Sequence, residues 1–431
     1  MSRPNLPSPA LVRASDRRTI LRNGTTGAAI AALAMMAGPS SRTPAQEATP
    51  VTGADATPAG GGQFIYVGSY TRAAVEEGAD AAELGISVFA VDPDTGALTP
   101  IQTVASDNPS FVAIHPSGQF LYAVNENADY EGADSGSIEA YGIDSVTGEL
   151  TLINRESTAG AIPAHLAVDP SGDHVVVANY IGKNFVVLPI NEDGSLSPVS
   201  GTYDISGSGP NPDRQEAPHP HATTYDPGGN FVAAADLGVD KVFIFDLNED
   251  DGTLELVSEV AATPGAGPRH VAFNPAGTVL HVLNELDATI VAYAYDAATG
   301  AIGDEIQTVS TVPDPFEGTK STAEIFVHPS GEFLYSSNRG QPDSTTPEGD
   351  AIVAWSIDPA SGELTLIGHT IDDIEVPRNF AIDPTGTWLY AANQEGDSIV
   401  QFAINQATGE LTPTGNVVET TNPVAIVFSG P

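Results

Sequence analysis

Within PRHVAFNPAGTVLHVLNE, residues 268–285, the chain places Arg269 beside His270 and ends on Glu285. A guanidinium, an imidazole and a carboxylate together can hold an anion, move a proton and steady developing charge. The same residue types recur in related stretches: His165, His219, His221, Glu324, Arg339, Arg378 and Asn379. Arginine is scarce after residue 62, with only Arg72, Arg155, Arg214, Arg269, Arg339 and Arg378. Gathering several of these six arginines in one place points to an anion site that also carries acid–base groups. The competing reading is that each arginine pairs with a neighbouring carboxylate to hold the fold. The chain has no cysteine, which removes thiolate chemistry, disulfides and Cys-ligated metal. It also lacks a GxSxG nucleophile elbow.

These positions are comparable because the stretch is one of seven copies. Six turns read HPSG (His115), DPSG (Asp169), DPGG (Asp226), NPAG (Asn274), HPSG (His328) and DPTG (Asp383). A strand follows each at fixed offset and ends on Asn125, Asn179, Asp236, Asn284, Asn338 or Asn393. A second marker, a Gly turn before Leu or Ile, starts at Thr95, Thr147, Asp193, Asp251, Thr299, Ser361 and Thr408. Four short strands in a period of about 50 residues describe a propeller blade. The N-terminal copy, GQFIYVGSY from Gly62, lacks a first strand, and NPVAIVFSG from Asn422 supplies it. The expected fold is all-β: a seven-bladed β-propeller of four-stranded antiparallel blades, closed when the C-terminal strand completes the N-terminal blade. A β-sandwich does not account for the constant period.

First strands begin and second strands end on one side, the upper face, because the two are antiparallel. The segments of variable length also lie there: 72–83, 127–135, 206–218, 312–321 and 340–350. Seven residues before each turn's proline stands Pro109, Pro163, Pro220, Pro268, Thr322 or Pro377, with Pro423 equivalent in the last copy. A proline there sets the bend into the innermost strand. The next two positions hold His165, His221, Arg269, His270, Glu324, Arg378 and Asn379, and second strands run out at Tyr70, Tyr180, Glu285 and Arg339. Arg214 lies in the upper loop DRQEAPHPH beside His219 and His221. His115 and His328 sit in lower turns and read as structural.

Residues 1–45 read as a twin-arginine-type signal peptide, with Arg17 and Arg18 ahead of a small-residue apolar run too short for a good membrane span. Residues 46–62 form an Ala/Thr/Pro/Gly linker, and 63–431 the propeller. The expected location is periplasmic or extracellular. A formal net charge of −41 repels nucleic acid and anionic membrane, and demands a locally positive site for any anionic substrate. The expected state is a monomer that binds no nucleic acid and has no membrane span.

NPSFVAIHPSGQFLYAVNE, GPNPDRQEAPHPHATTYDP, GPRHVAFNP, AEIFVHPSGEFLYSSNRG and PRNFAIDPTG resemble the lactonase family of seven-bladed propellers, over about Phe64 to Phe428. That family includes 6-phosphogluconolactonases and a carboxy-muconate lactonizing enzyme. The resemblance implies lactone opening or closing without an obligatory cofactor or metal, on an acidic or phosphorylated substrate. It carries the family's His and Arg motifs onto His165, Arg214, His219, His221, Arg269, His270 and Glu324. An exported member implies a lactone other than a cytosolic phosphosugar, such as a sugar-acid lactone.

On this reading His165 or Glu324 is the base, and Arg214 and Arg269 stabilise the oxyanion. His221 and His270 deliver protons or hydrogen bonds. Arg339 and Arg378 take a substrate carboxylate or phosphate; His219, Glu285 and Asn379 complete the binding set. Two other readings stand beside it. One is an exported propeller that binds an acidic sugar or peptide without chemistry. The other is a metal- or quinone-dependent propeller enzyme using His219 and His221 with Asp236 or Glu324.

Overall fold

The computed structural model describes residues 63–429; the expected signal peptide and linker lie outside the described residues. Seven four-stranded antiparallel sheets follow one another along the chain. In six, the innermost strand comes first: Pro109–Ile114, Pro163–Val168, Pro220–Tyr225, Pro268–Phe273, Thr322–Val327 and Pro377–Ile382. In blade one the innermost strand is Pro423–Phe428, paired antiparallel with Phe64–Ser69. Innermost strands of successive blades touch all the way round, the closing strand contacting both blade two and blade seven. The propeller expected from the repeat is the fold observed.

Burial follows blade depth. The second strand Val279–Asn284 is buried along its whole length, whereas the outermost strand Ala301–Ser310 alternates between half-buried and exposed. The core is divided into interfaces. One cluster joins Val242 and Ile244 of blade four to Val271, Leu280 and Tyr293 of blade five. At the seam, Ile65, Val67 and Phe89 of blade one pack on Tyr390, Ala392 and Ile399 of blade seven. The place where the first and last described strands meet is therefore packed like the other interfaces.

Polar bolts add direction to this packing. Tyr66, Tyr122, Tyr335 and Tyr390 share one register position, and each donates its hydroxyl to a glycine carbonyl in the next blade's hairpin turn. The acceptors are Gly148, Gly194, Gly409 and Gly96, at 3.1, 3.1, 2.8 and 2.7 Å. The turn requires glycine: at Gly148 φ is 75°, and a Cβ would sit 2.5 Å from the Phe64 ring. His115 and His328 bond through Nε2 to the carbonyls of Gly172 and Gly386 in the neighbouring lower turns, the structural setting expected for them.

Blade five places His281 at the tyrosine position. The ring is fully buried, neither nitrogen has a hydrogen-bond partner, and burial pushes its pKa down to about 4. In the unfolded chain the imidazole titrates near 6.5, so between the two values the unfolded state binds the extra proton and stability falls as pH falls. We expect the wild type to lose on the order of 3 kcal/mol more than His281→Phe between pH 6.5 and 4, read from urea midpoints. Parallel pH profiles for the two proteins would contradict this account of His281.

Candidate active site

A one-residue irregularity at the top of every innermost strand builds the site. In blade five Pro268 pairs with Asn284 and His270 with Leu283, so Arg269 has no opposite number. The same bulge follows Pro109, Pro163, Pro220 and Pro377. In blade six two residues, Ala323 and Glu324, stand between the pairs made by Thr322 and Ile325, and in blade one Val424 is skipped. A bulge breaks the strict in–out alternation of a strand and re-aims side chains. Arg269 and His270 are consecutive, yet both reach polar partners on blade six: Arg269 the Ala323 carbonyl, His270 the Glu324 carboxylate. The backbone entering the strand is unusual too, with left-handed φ at Asn108, Ile162, Gly267, Val376 and Asn422, each just before the proline.

Glu285 lies at the centre of the cations. Its Oε1 is 2.7 Å from Arg214 Nη2, and its Oε2 is 3.0 Å from both Arg269 Nε and Arg339 Nη2. Burial raises the carboxyl's pKa, but the three guanidiniums outweigh it and hold Glu285 well below the usual carboxylate range. Burial, reinforced by Arg339 and Arg378, pushes Arg269 down to about 9, which leaves it charged at neutral pH. Arg378 lies over the Tyr70 ring at 5.0 Å and is 3.9 Å from Glu126, whose Oε2 takes the Tyr70 hydroxyl at 2.8 Å. Of the six arginines, Arg72 pairs with Asp107 and Asp129, and Arg155 with Glu139. Those two pair away from the site, while Arg214, Arg269 and Arg339 share Glu285 and Arg378 lies by Glu126.

Beside the cations stands an imidazole group. The His270 ring is 5.0 Å from His165 and 5.3 Å from His221, and His165 stacks on Phe111 at 3.8 Å. His270 Nδ1 is 2.8 Å from Glu324 Oε1, which also accepts the Ile325 amide; Glu324 Oε2 accepts the Asn379 side-chain amide. Both carboxylate oxygens are acceptors, so the proton between them and His270 sits on Nδ1, and Nε2 keeps its lone pair. His165 is arranged the other way: its Nδ1 accepts the Thr223 amide at 3.3 Å, which puts its proton on Nε2. Burial first, and then neighbouring cationic or imidazole groups, hold His165, His221 and His270 well below their usual value, so all three are neutral near pH 7. Burial pushes Glu324 up to about 7, against the pull of Arg269. The arrangement therefore offers one neutral imidazole poised as acceptor (His270), one poised as donor (His165), and a buried carboxylate that titrates near neutrality.

His219 does not join this group. It stacks on Tyr180 at 4.4 Å, its Nδ1 meets the Tyr180 carbonyl, and its Nε2 is 3.2 Å from Glu216. The contact supports Tyr180, whose hydroxyl is 3.4 Å from Arg214 Nη2. Asp236 Oδ1 accepts three backbone amides, those of His219, Gly238 and Val239. The ligand set imagined for a metal therefore does not converge, and no group of three His, Cys, Asp or Glu among the described residues is arranged to hold an ion. Glu126 was not singled out from the sequence, although it occupies the same register position as Glu285, and that equivalence would have found it.

A family model described as lactonase, 7-bladed beta-propeller, matches residues 64–428. A 6-phosphogluconolactonase from Bacillus subtilis is 37% identical over 331 residues, 76% of this chain and 87% of that relative. One from Formosa agariphila is 34% identical over 334 residues, 77% of this chain and 89% of that relative. The structure of a periplasmic gluconolactonase from Pseudomonas aeruginosa superposes with a TM-score of 0.76 at 29% identity, covering 85% of this chain and 99% of that one.

The two imidazole tautomers are directly observable. In isotope-edited spectra at about pH 8, where neutral histidine dominates, His270 should carry its proton on Nδ1 and His165 on Nε2. The opposite tautomer at either ring would remove the hydrogen-bond assignment made for it.

Proposed function

This chain belongs to the lactonase family of seven-bladed β-propellers, and from that premise we propose that it hydrolyses a sugar-acid or related lactone at the upper mouth of its channel. The observation that carries the reading is the Glu324–His270 pair, which leaves Nε2 as the acceptor of a ring that Arg269, Arg378 and Arg339 act on electrostatically. His270 Nε2 takes a proton from water as the water oxygen adds to the lactone carbonyl carbon. Glu324 holds the ring through Nδ1–H and balances the imidazolium that forms. The carbonyl oxygen gains charge, and on this reading Arg269, Arg214 and the His165 Nε2–H are the donors that receive it. The ring C–O bond then breaks, and the proton held by His270 passes to the leaving alkoxide, with His221 beside it. The product is the open hydroxy acid. The division of labour differs from the one expected at the outset: the base is His270, and His165 donates.

Arg378, Arg339 and their neighbours hold an anionic group of the substrate, and Tyr70 and Tyr180 contact hydroxyls. Four guanidinium charges against Glu285 and Glu126 make the mouth positive in a chain of net charge −41, which concentrates an anionic ligand there. Side chains carry every step, so the reading needs no cofactor. The relatives named 6-phosphogluconolactonase support a sugar lactone, and the periplasmic gluconolactonase supports one met outside the cytoplasm, where the twin-arginine-type leader would deliver a monomer. No helix among the described residues is long and apolar enough to cross a membrane.

Purified protein should open glucono-δ-lactone, its 6-phosphate or a related acid lactone. His270→Ala should lower kcat by about a hundred- to ten-thousand-fold, the usual contribution of a positioned base. Activity requires the ionised Glu324, so kcat/KM should fall as pH drops through about 7. Tight binding of sugar acids with no turnover of any lactone would instead make the protein a binding module.

A further inference from the structure

We propose that Asn379 is a positioning residue that sets the proton affinity and tautomer of the Glu324–His270 pair, rather than a contact for substrate hydroxyls; this rests on the lactonase reading above. Asn379 is 5% exposed, on the innermost strand of blade seven. Its amide has a fixed sense. The backbone N–H of Ile426, on the ring-closing strand, donates to Asn379 Oδ1 at 2.9 Å. Only an oxygen can accept that bond, so Nδ2 must face the other way, and it donates to Glu324 Oε2. Glu324 Oε1 in turn receives His270 Nδ1–H at 2.8 Å. One hydrogen-bonded chain therefore runs from the strand that closes the ring, through Asn379 and Glu324, to the proposed base.

The chemistry of each link gives the direction of control. A donor on Oε2 stabilises the ionised carboxylate, and an ionised carboxylate keeps the proton of His270 on Nδ1. The remaining groups around Glu324 are the Ile325 amide, His165 and Arg269, with the Ser337 hydroxyl on the Glu324 backbone amide. Arg269 already donates to Glu285 and to the Ala323 carbonyl, so among these groups Asn379 alone bonds Oε2. Without it Glu324 holds its proton to higher pH and turns from acceptor to donor. His270 Nδ1 then becomes the acceptor, its proton moves to Nε2, and the base is lost.

Asn379→Asp keeps the shape and the acceptor for Ile426 but replaces the donor with a second carboxylate, and Asn379→Leu removes both the donor to Glu324 and the acceptor for Ile426 without adding charge. Both should lower kcat at neutral pH at least tenfold, with KM for the lactone within about threefold of wild type. Both should move the acid limb of the kcat/KM profile to higher pH, by about one unit or more in Asn379→Asp. A rise in KM with the limb unmoved would make Asn379 a substrate contact and overturn the proposal. Wild-type protein supplies a test that no folding defect can confuse. The Asn379 side-chain amide protons should titrate by magnetic resonance with the midpoint of the acid limb, and a pH-independent resonance would also overturn it. Should the wild type open no lactone, the hydrolytic reading fails, yet the amide titration, compared with direct observation of the Glu324 carboxyl, still decides whether Asn379 governs that group.

Discussion

Seven strands converge on one axis, and the two ends of the described chain must meet there to complete the circle. Pro423–Phe428 pairs with Phe64–Ser69, and through it every blade finds a neighbour on both sides. An open ring would leave the packed faces of blades one and seven in water, including Tyr390, Ala392 and Ile399. It would also leave Asn379 without the amide that fixes its sense. Closure and the polar site are thus joined by specific bonds as well as by general compactness. This suits a site assembled from seven separate pieces of chain, no one of which holds more than two or three of its groups.

The site is costly to bury. Glu285 and Arg269 are each at most 4% exposed, and taking such ions out of water is unfavourable unless each meets opposite charge and hydrogen bonds. The arrangement meets that condition locally: one carboxylate answers three guanidiniums, and Arg269 has a carbonyl as well. What remains is an excess of positive charge at one mouth of a strongly acidic molecule. The apolar interfaces between blades, fastened by the tyrosine hydroxyls, supply the rigidity that holds these charges apart.

Much of this was legible in the sequence because a propeller writes its geometry periodically. Glycine turns marked each blade and a terminal asparagine five of the seven, and once the copies were aligned Arg269 and Arg378 fell at one equivalent position and Arg339 at the end of a second strand on the same face. What the sequence did not carry was orientation. A bulge is one unpaired residue in a backbone ladder and has no residue type of its own, so nothing announced that Arg269 and His270 would both reach blade six. The choice between His165 and His270 as acceptor depends on which ring nitrogen meets a backbone amide, and for His165 that amide belongs to Thr223, in the next blade. His219 and His221 look like a pair two residues apart. The loop carries His219 to Tyr180 and Glu216, while the strand carries His221 to the axis. Glu285 read as a substrate contact, because sequence cannot show that its oxygens are already shared among three arginines.

The repeated bulge has a consequence for how such a protein can change over generations. Its extra residue faces no ladder partner, so a substitution there leaves strand pairing intact and is judged mainly by what it offers the channel mouth. Ser110, Ala164, His221, Arg269, Ala323, Arg378 and Val424 now fill the seven places. Four are small or apolar and three carry the charge and imidazole. One scaffold therefore holds seven nearly independent letters, and a new specificity can be spelled by altering a few of them while the ring that displays them stays as it is.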